Sequence, residues 1–187
     1  MNNFKILETE RLILKPINET DLPAYKEHFV DYEVIRYLSS IVPWPYPDDG
    51  VEKYFNEVVI PNQGKEKWFW GLHFKSAPNR LIGSIDLWRE SKPDNRGFWL
   101  GKNFWNRGLM TEAAYAVNDY AFNELGFEKL IFSNALGNMR SRKVKEKTGA
   151  KLISIEPASF VDPSYTECEI WELTKVEWLK FREQDKK

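Results

Sequence analysis

The chain has 187 residues, with 27 basic and 28 acidic side chains and a net charge of -1. That length suits one domain with a substantial core, residues 1–187, and the balance of charge carries no nucleic-acid footprint. One cysteine, two well-separated histidines and no apolar run of membrane or signal length lead us to expect a cytoplasmic protein with no disulfide, no metal and no membrane partner.

In chain order, residues 11–14 alternate into a first strand that Pro16 ends, and residues 18–21 offer caps for a short helix over 22–29. Residues 34–38 read as a further turn. Residues 41–50 alternate three prolines with Trp44 and Tyr46, which no regular helix or central strand accommodates, so this is a loop. Its aromatics either line a binding surface or staple the loop to the core. Asp48 or Asp49 caps a helix over 51–59, whose buried face is Val51, Tyr54, Phe55 and Val58. A turn over 61–67 leads into strands at 68–74 and 81–88, joined by a hairpin loop at 76–80.

A polar loop at 90–96 precedes a short aromatic strand, Phe98 to Leu100. Residues 102–108 break the pattern, and from Thr111 onward Ala113, Ala114, Val117, Tyr120, Ala121 and Leu125 recur at helical spacing. The helix therefore begins near Leu109 or Met110 and stops at Gly126, which suits a left-handed C-terminal position. A helix that follows Arg107-Gly108 presents free backbone N–H groups and a positive dipole end, an anion seat. The alternative is a glycine that only turns the chain. Beyond it come strands at 129–133, 151–155 and 167–173, a helix opening near Asn138, a loop at 157–164 and an amphipathic tail helix over 176–187 that frays into charge. Cys168 lies between Glu167 and Glu169 in strand-like sequence and reads as a packed thiol. Strands that meander and then alternate with helices indicate a mixed sheet with helices on its faces.

Trp105, Gly108 and Thr111-Glu112-Ala113, then Asn138, Ser141, Lys147 and Gly149, with Glu8-Thr9-Glu10-Arg11-Leu12 at the start, resemble the GNAT acyl-CoA N-acyltransferases. Within them they resemble the branch that acetylates the N-termini of ribosomal proteins. The likeness implies a single-domain α/β (α+β) fold, its mixed and mostly antiparallel twisted sheet opened by a splayed central strand pair. It implies acetyl-CoA as co-substrate and direct attack by a primary amine, either a protein N-terminus or a small molecule, and it leaves a homodimer open. The donor would be held by Phe98, Trp99 and Leu100, by Asn106, Arg107, Gly108, Leu109, Met110 and Thr111 at the pyrophosphate, and by Asn138, Ser141 and Lys143. The acceptor would enter beside Trp44, Tyr46 and Trp88.

The chain departs from this pattern at four places. Asn106 replaces a usual glycine, Met110 a usual small residue, Asn95 a strand glutamate, and Lys145 a catalytic tyrosine. Ser141 is then the nearest proton donor for the leaving thiolate, or else a cap of its helix, with Lys145 a further turn along as another donor should burial lower its pKa. Asp86 is a candidate base. Glu112 more simply opposes the helix dipole than acts as an acid. A non-catalytic acyl-CoA-binding or sensing domain is the rival reading. A phosphate-binding P-loop is excluded by the lack of its glycine-lysine run.

Overall fold

The computed structural model of the chain describes residues 4–90 and 94–185, so part of the 90–96 loop and the last two residues of the tail lie outside the described residues. Two antiparallel sheets form. The first has five strands in the order β1 (Leu7–Glu8), β2 (Leu12–Pro16), β3 (Lys67–Phe74), β4 (Ala77–Trp88) and β5 (Phe98–Leu100). The second orders β6 (Lys129–Ala135), β8 (Glu167–Thr174) and β7 (Lys151–Pro157). Every pairing within these ladders is antiparallel, and β5 and β6 are edge strands of separate sheets, so the expected mixed sheet is divided at that point. The chain passes from β5 to β6 through α5 (Leu109–Asn123).

β3 shows why its sequence reads as a nearly continuous apolar run rather than an alternation. Trp68, Trp70 and Leu72 face a core shared with Ala113, Ala114, Val117 and Ala121 of α5, while Phe69 faces a second core. That second core packs Tyr25 and Phe29 of α1 (Leu22–Phe29) and Ile35 of α2 (Tyr32–Ile35) against Trp99. A strand buried on both faces favours apolar residues at successive positions, and the one buried polar side chain here, His73, is paired with Asp21 at 2.9 Å.

Several boundaries differ from the sequence reading. The β3–β4 hairpin turns over Lys75 and Ser76 alone, and residues 77–80, expected as loop, extend β4 as an exposed end where Leu72/His73 and His73/Phe74 shift register. The helix expected at 51–59 runs from α3 (Gly50–Tyr54) through a π-helical stretch, Phe55–Val59, into α4 (Ile60–Asn62), with Pro61 tolerated near the start of that last turn. α5 ends at Asn123, and Gly126 takes φ +71 just beyond, where the Phe127 N–H reaches back to the Ala121 carbonyl. α6 (Met139–Lys147) and α7 (Lys175–Asp185) complete the chain, α7 held by the fully buried Trp178. Among the described residues, no helix is long and apolar enough to cross a membrane.

Candidate active site

The gap between β5 and β6 is pinned at one end and open at the other. Asn95 pins it: its N–H donates to the Ile131 carbonyl at 2.8 Å, and its Oδ1 accepts from the Ile131 N–H at 2.8 Å. Its Nδ2 donates to the Trp88 carbonyl at 3.0 Å, and the Trp88 N–H donates to the Asn95 carbonyl at 2.7 Å. From this vertex β5 stays with β4 and β6 with β8, so the outer edge of β5 carries backbone groups with no strand partner. The amide of Asn95 serves a donor and an acceptor at once, which a carboxylate cannot do.

At the open end stands the N-terminus of α5. Gly108 is its N-cap at φ +74, and an added Cβ there would meet only Arg11 Nη2, at 3.7 Å. Asn106 takes φ +58, a left-handed conformation that asparagine tolerates better than most residues, so the departure from glycine keeps the backbone shape. Met110 turns its side chain into the core, leaving the turn's main chain unaffected. The first turn of a helix has no internal partners for its N–H groups, and the dipole adds positive potential.

This turn is held from the chain's start. Glu112 accepts from the Thr9 hydroxyl, from the Arg11 N–H at 2.8 Å and from Arg11 Nε at 2.7 Å, while Arg11 Nη1 donates to the Arg107 carbonyl at 3.0 Å. Burial works against the Glu112 charge, but the bonds from Thr9 and Arg11 outweigh it and hold its pKa below the usual range. The sequence signatures at 8–12 and 111–113 are thus two halves of one clamp.

One cavity of about 1140 Å³ runs from this seat into the gap. Phe98, Trp99, Leu100, Asn106, Arg107, Gly108, Leu109, Met110, Thr111, Asn138, Ser141 and Lys143 all line it, as does Trp88. Trp44, Tyr46 and Asp86 are not among the lining residues. Trp44 packs on Tyr32 and Tyr46 on Phe29, and the loop gives Ile41 and Val42 to the cavity wall instead. Asp86 Oδ1 accepts from the Gly97 N–H at 2.7 Å, and burial pushes its pKa up to about 7. Asn138, not Ser141, caps α6: its Oδ1 accepts from the Ser141 N–H at 3.2 Å. Cys168 also lines the cavity, and burial raises its thiol pKa, which disfavours the nucleophilic thiolate.

The floor of the gap holds a cluster that sequence reasoning did not assemble. Asp94, in the segment before β5, accepts from the Ser133 hydroxyl, and burial raises its pKa. Arg96 is buried over the ring of Phe132, its Nη1 donating to Asn118 Oδ1 at 2.6 Å, and burial lowers its pKa to about 9. Lys145 is 1 % exposed, and its Nζ donates to Ser141 Oγ at 2.8 Å. Burial, helped by Arg96, lowers its pKa to about 7. Asp94, Arg96 and Ser141 line the cavity, with Lys145 directly behind Ser141. The basic run from Arg140 divides accordingly. Arg140, Lys143 and Lys147 line the cavity, Arg142 pairs with Glu146 and Glu169, and Lys145 is the one turned inward.

Chemically, then, the gap joins an anion seat, an unpaired strand edge, a hydroxyl backed by an amine, and a carboxylate whose proton affinity is raised. Among the described residues there is no cluster of histidine, cysteine or carboxylate side chains fit to hold a metal ion. The family description "Acetyltransferase (GNAT) domain" matches residues 11–151. A curated relative from Bacillus subtilis (strain 168), named "Probable N-acetyltransferase YjcK", is 31% identical over 155 residues, covering 77% of this chain and 82% of the relative. Two solved structures share the fold at lower identity. One is RimL, a ribosomal L7/L12 alpha-N-protein acetyltransferase in complex with coenzyme A (TM-score 0.76, 14% identity, 91% of this chain and 98% of that one). The other is spermidine N-acetyltransferase from Vibrio cholerae in complex with CoA and spermine (TM-score 0.72, 16% identity, 90% and 98%).

Proposed function

The chain belongs to the GNAT acetyltransferase family, and on that premise we propose that it moves an acetyl group from acetyl-CoA to a primary amine by direct attack on the thioester. The observation that carries this reading is the continuity of a single cavity from the α5 N-terminus to the polar floor between β5 and β6. The pyrophosphate suits the backbone of residues 106–111, where the clearance at Gly108 admits close approach and Lys143 adds a charge. The amides of the pantetheine arm suit the open edge of β5, and Asn138 keeps its Nδ2 for the arm because its Oδ1 is engaged in the cap.

Two proton movements remain. Ser141, on the wall, donates to the thiolate as it leaves. For the proton that the amine loses, Asp94 is better placed than Asp86, since Asp94 lines the cavity and Asp86 lies off it. A raised pKa makes Asp94 a stronger base once ionised. In this reading Asp86 shapes the turn at Gly97, Trp88 contacts the acceptor, and Trp44 and Tyr46 position the loop that supplies Ile41 and Val42.

Protein N-termini and small polyamines both present the primary amine that this reading requires, and the wall sets Glu33, Asp94 and Glu156 among Arg96, Arg107, Arg140, Lys143 and Lys147. The two named structural relatives divide between those classes. Free-thiol release from acetyl-CoA, measured against a panel of peptides and small amines, tests the proposal. Amine-dependent release with matching acetylated product supports transfer. Binding of acetyl-CoA with no release for any amine identifies a non-catalytic acyl-CoA-binding domain instead.

A further inference from the structure

We propose that Lys145 is a positioning residue that acts through Ser141, holding the proton which Ser141 Oγ passes to the leaving thiolate. The inference rests on the acetyl-transfer reading above and goes beyond it by naming the source of the proton. Its basis is the arrangement at the floor. Lys145 Nζ donates to Ser141 Oγ at 2.8 Å, and the two residues stand one turn apart on α6. Ser141 lines the cavity, whereas Lys145, 1 % exposed, lies behind it. Because Oγ accepts from Nζ, the hydroxyl's own hydrogen is free to point into the cavity.

A buried lysine is costly unless something needs it. Holding Ser141 in place does not, since Asn138 already fixes its main chain. The groups facing Lys145 are Ser141 on its own helix, Asp94 before β5, Arg96 beside β5, Glu169 on β8 and the Phe98 ring 5.4 Å from Nζ. Burial and Arg96 disfavour the ammonium, Asp94 and Glu169 favour it, and the balance leaves its pKa at about 7. An ordinary lysine ammonium, near pKa 10.4, holds its proton too tightly for this work, and a serine hydroxyl alone is a poor acid. A group poised near neutrality that refills the hydroxyl overcomes both faults.

As the amine bonds to the acyl carbon and the C–S bond breaks, sulfur keeps the electron pair. Sulfur takes the Ser141 hydroxyl proton, and Oγ takes one from the Lys145 ammonium, which becomes the neutral amine. The proton lost by the acceptor goes to Asp94, and its return to Lys145 restores the enzyme.

The test is the pH dependence of kcat for the full chain and for Ser141→Ala, Lys145→Met and the double variant, with acetyl-CoA and any amine that the wild type accepts. We expect the wild-type kcat to fall as pH rises through about 7, because Lys145 must carry its proton. Lys145→Met should lower kcat about 10- to 100-fold, at or below the lower end of general-acid contributions. It should leave the KM for acetyl-CoA within about twofold and abolish the alkaline fall. The double variant should be no slower than Ser141→Ala, since residues acting as a unit are not additive. An unchanged kcat and profile in Lys145→Met, or additive losses in the double variant, overturns the relay alone. Should Lys145→Met not fold, absence of the alkaline fall in the wild type overturns it equally. Failure of the wild type to release thiol with any amine overturns the transfer reading, and the relay with it.

Discussion

The two ends of the cavity are built from different materials. At the α5 N-terminus the groups proposed to meet the donor are backbone N–H donors, in a turn shaped by a glycine at φ +74 and an asparagine at φ +58, and the flanking side chains clamp that turn. At the floor the groups proposed to act are side chains: the hydroxyls of Ser133 and Ser141, and Asp94, Arg96 and Lys145, the last three with proton affinities shifted by burial. The contrast follows from the task. A diphosphate keeps its charge throughout and is best met by fixed dipoles, whereas a proton must change hands, which only a titratable group with a shifted pKa can arrange at neutral pH. The seat should therefore govern affinity and the floor should govern rate.

The largest expected effect is at the seat. Gly108→Glu places a carboxylate beside the pyrophosphate and imposes a left-handed φ on a non-glycine residue, and we expect about 3 kcal/mol of lost acetyl-CoA affinity, roughly 100-fold. Titration calorimetry on folded protein reads it directly, with Gly108→Ala separating backbone strain from charge. Near-normal affinity in the glutamate variant would move the seat elsewhere.

Next comes the vertex that joins the two ends. Asn95→Ala strands the Ile131 N–H and the Trp88 carbonyl, and leaving buried partners unpaired should cost about 3 kcal/mol in urea unfolding. Acetyl-CoA affinity and kcat should both decline, because both ends depend on the same opening. A loss of rate alone would place Asn95 in the floor's chemistry rather than in the frame.

Asp86 separates buried charge with a proton-transfer task from buried charge without one. Its folded pKa, raised to about 7, exceeds the unfolded value of about 3.9. Between those values the folded state holds a proton that the unfolded state has released, so this group's contribution to stability declines as pH climbs from about 4 to about 7. Asp86→Asn should gain on the wild type across that window by about 1–3 kcal/mol and level off above it, while retaining kcat per folded molecule. A large loss of kcat would return the base to Asp86 in place of Asp94.

The smallest effect concerns the acceptor wall. Trp88→Ala should raise the acceptor KM about tenfold, near 1.4 kcal/mol, whereas Trp44, 43% exposed and packed on Tyr32, should change it less than about twofold on truncation to alanine. The reverse order would bring the aromatic loop into the acceptor site.

The same contrast explains what the sequence revealed. The turn and helix start at the proposed seat were legible because strand, turn, Arg107-Gly108 and helix are contiguous, and helix ends announce themselves through residue type. The floor was not, because its members come from 94–96, 133 and 141–145, which only the fold brings together. In particular, residues 139–147 are polar almost throughout, so periodicity does not mark Lys145 as the buried one, and it stood out only as the replacement of a tyrosine one turn beyond Ser141. Asn95 stood out as a departure from a pattern, yet its role as a pin needs Ile131, far along the chain. The clamp among Thr9, Arg11 and Glu112 was visible only as two separate signatures. Residues 77–80 differ from their sequence reading because Pro78 suggests a loop, whereas an exposed strand end accepts it.

The division of labour between seat and floor is tested most directly on one variant, Ser141→Ala, by measuring acetyl-CoA Kd and the single-turnover rate of acyl transfer on the same preparation. Asn138 still caps α6 through the residue 141 N–H in this variant, so the frame is preserved. The account predicts a Kd within about twofold of the wild type and a rate lower by about 10- to 100-fold. A Kd that weakens in step with the rate, or a rate that does not change, would contradict it.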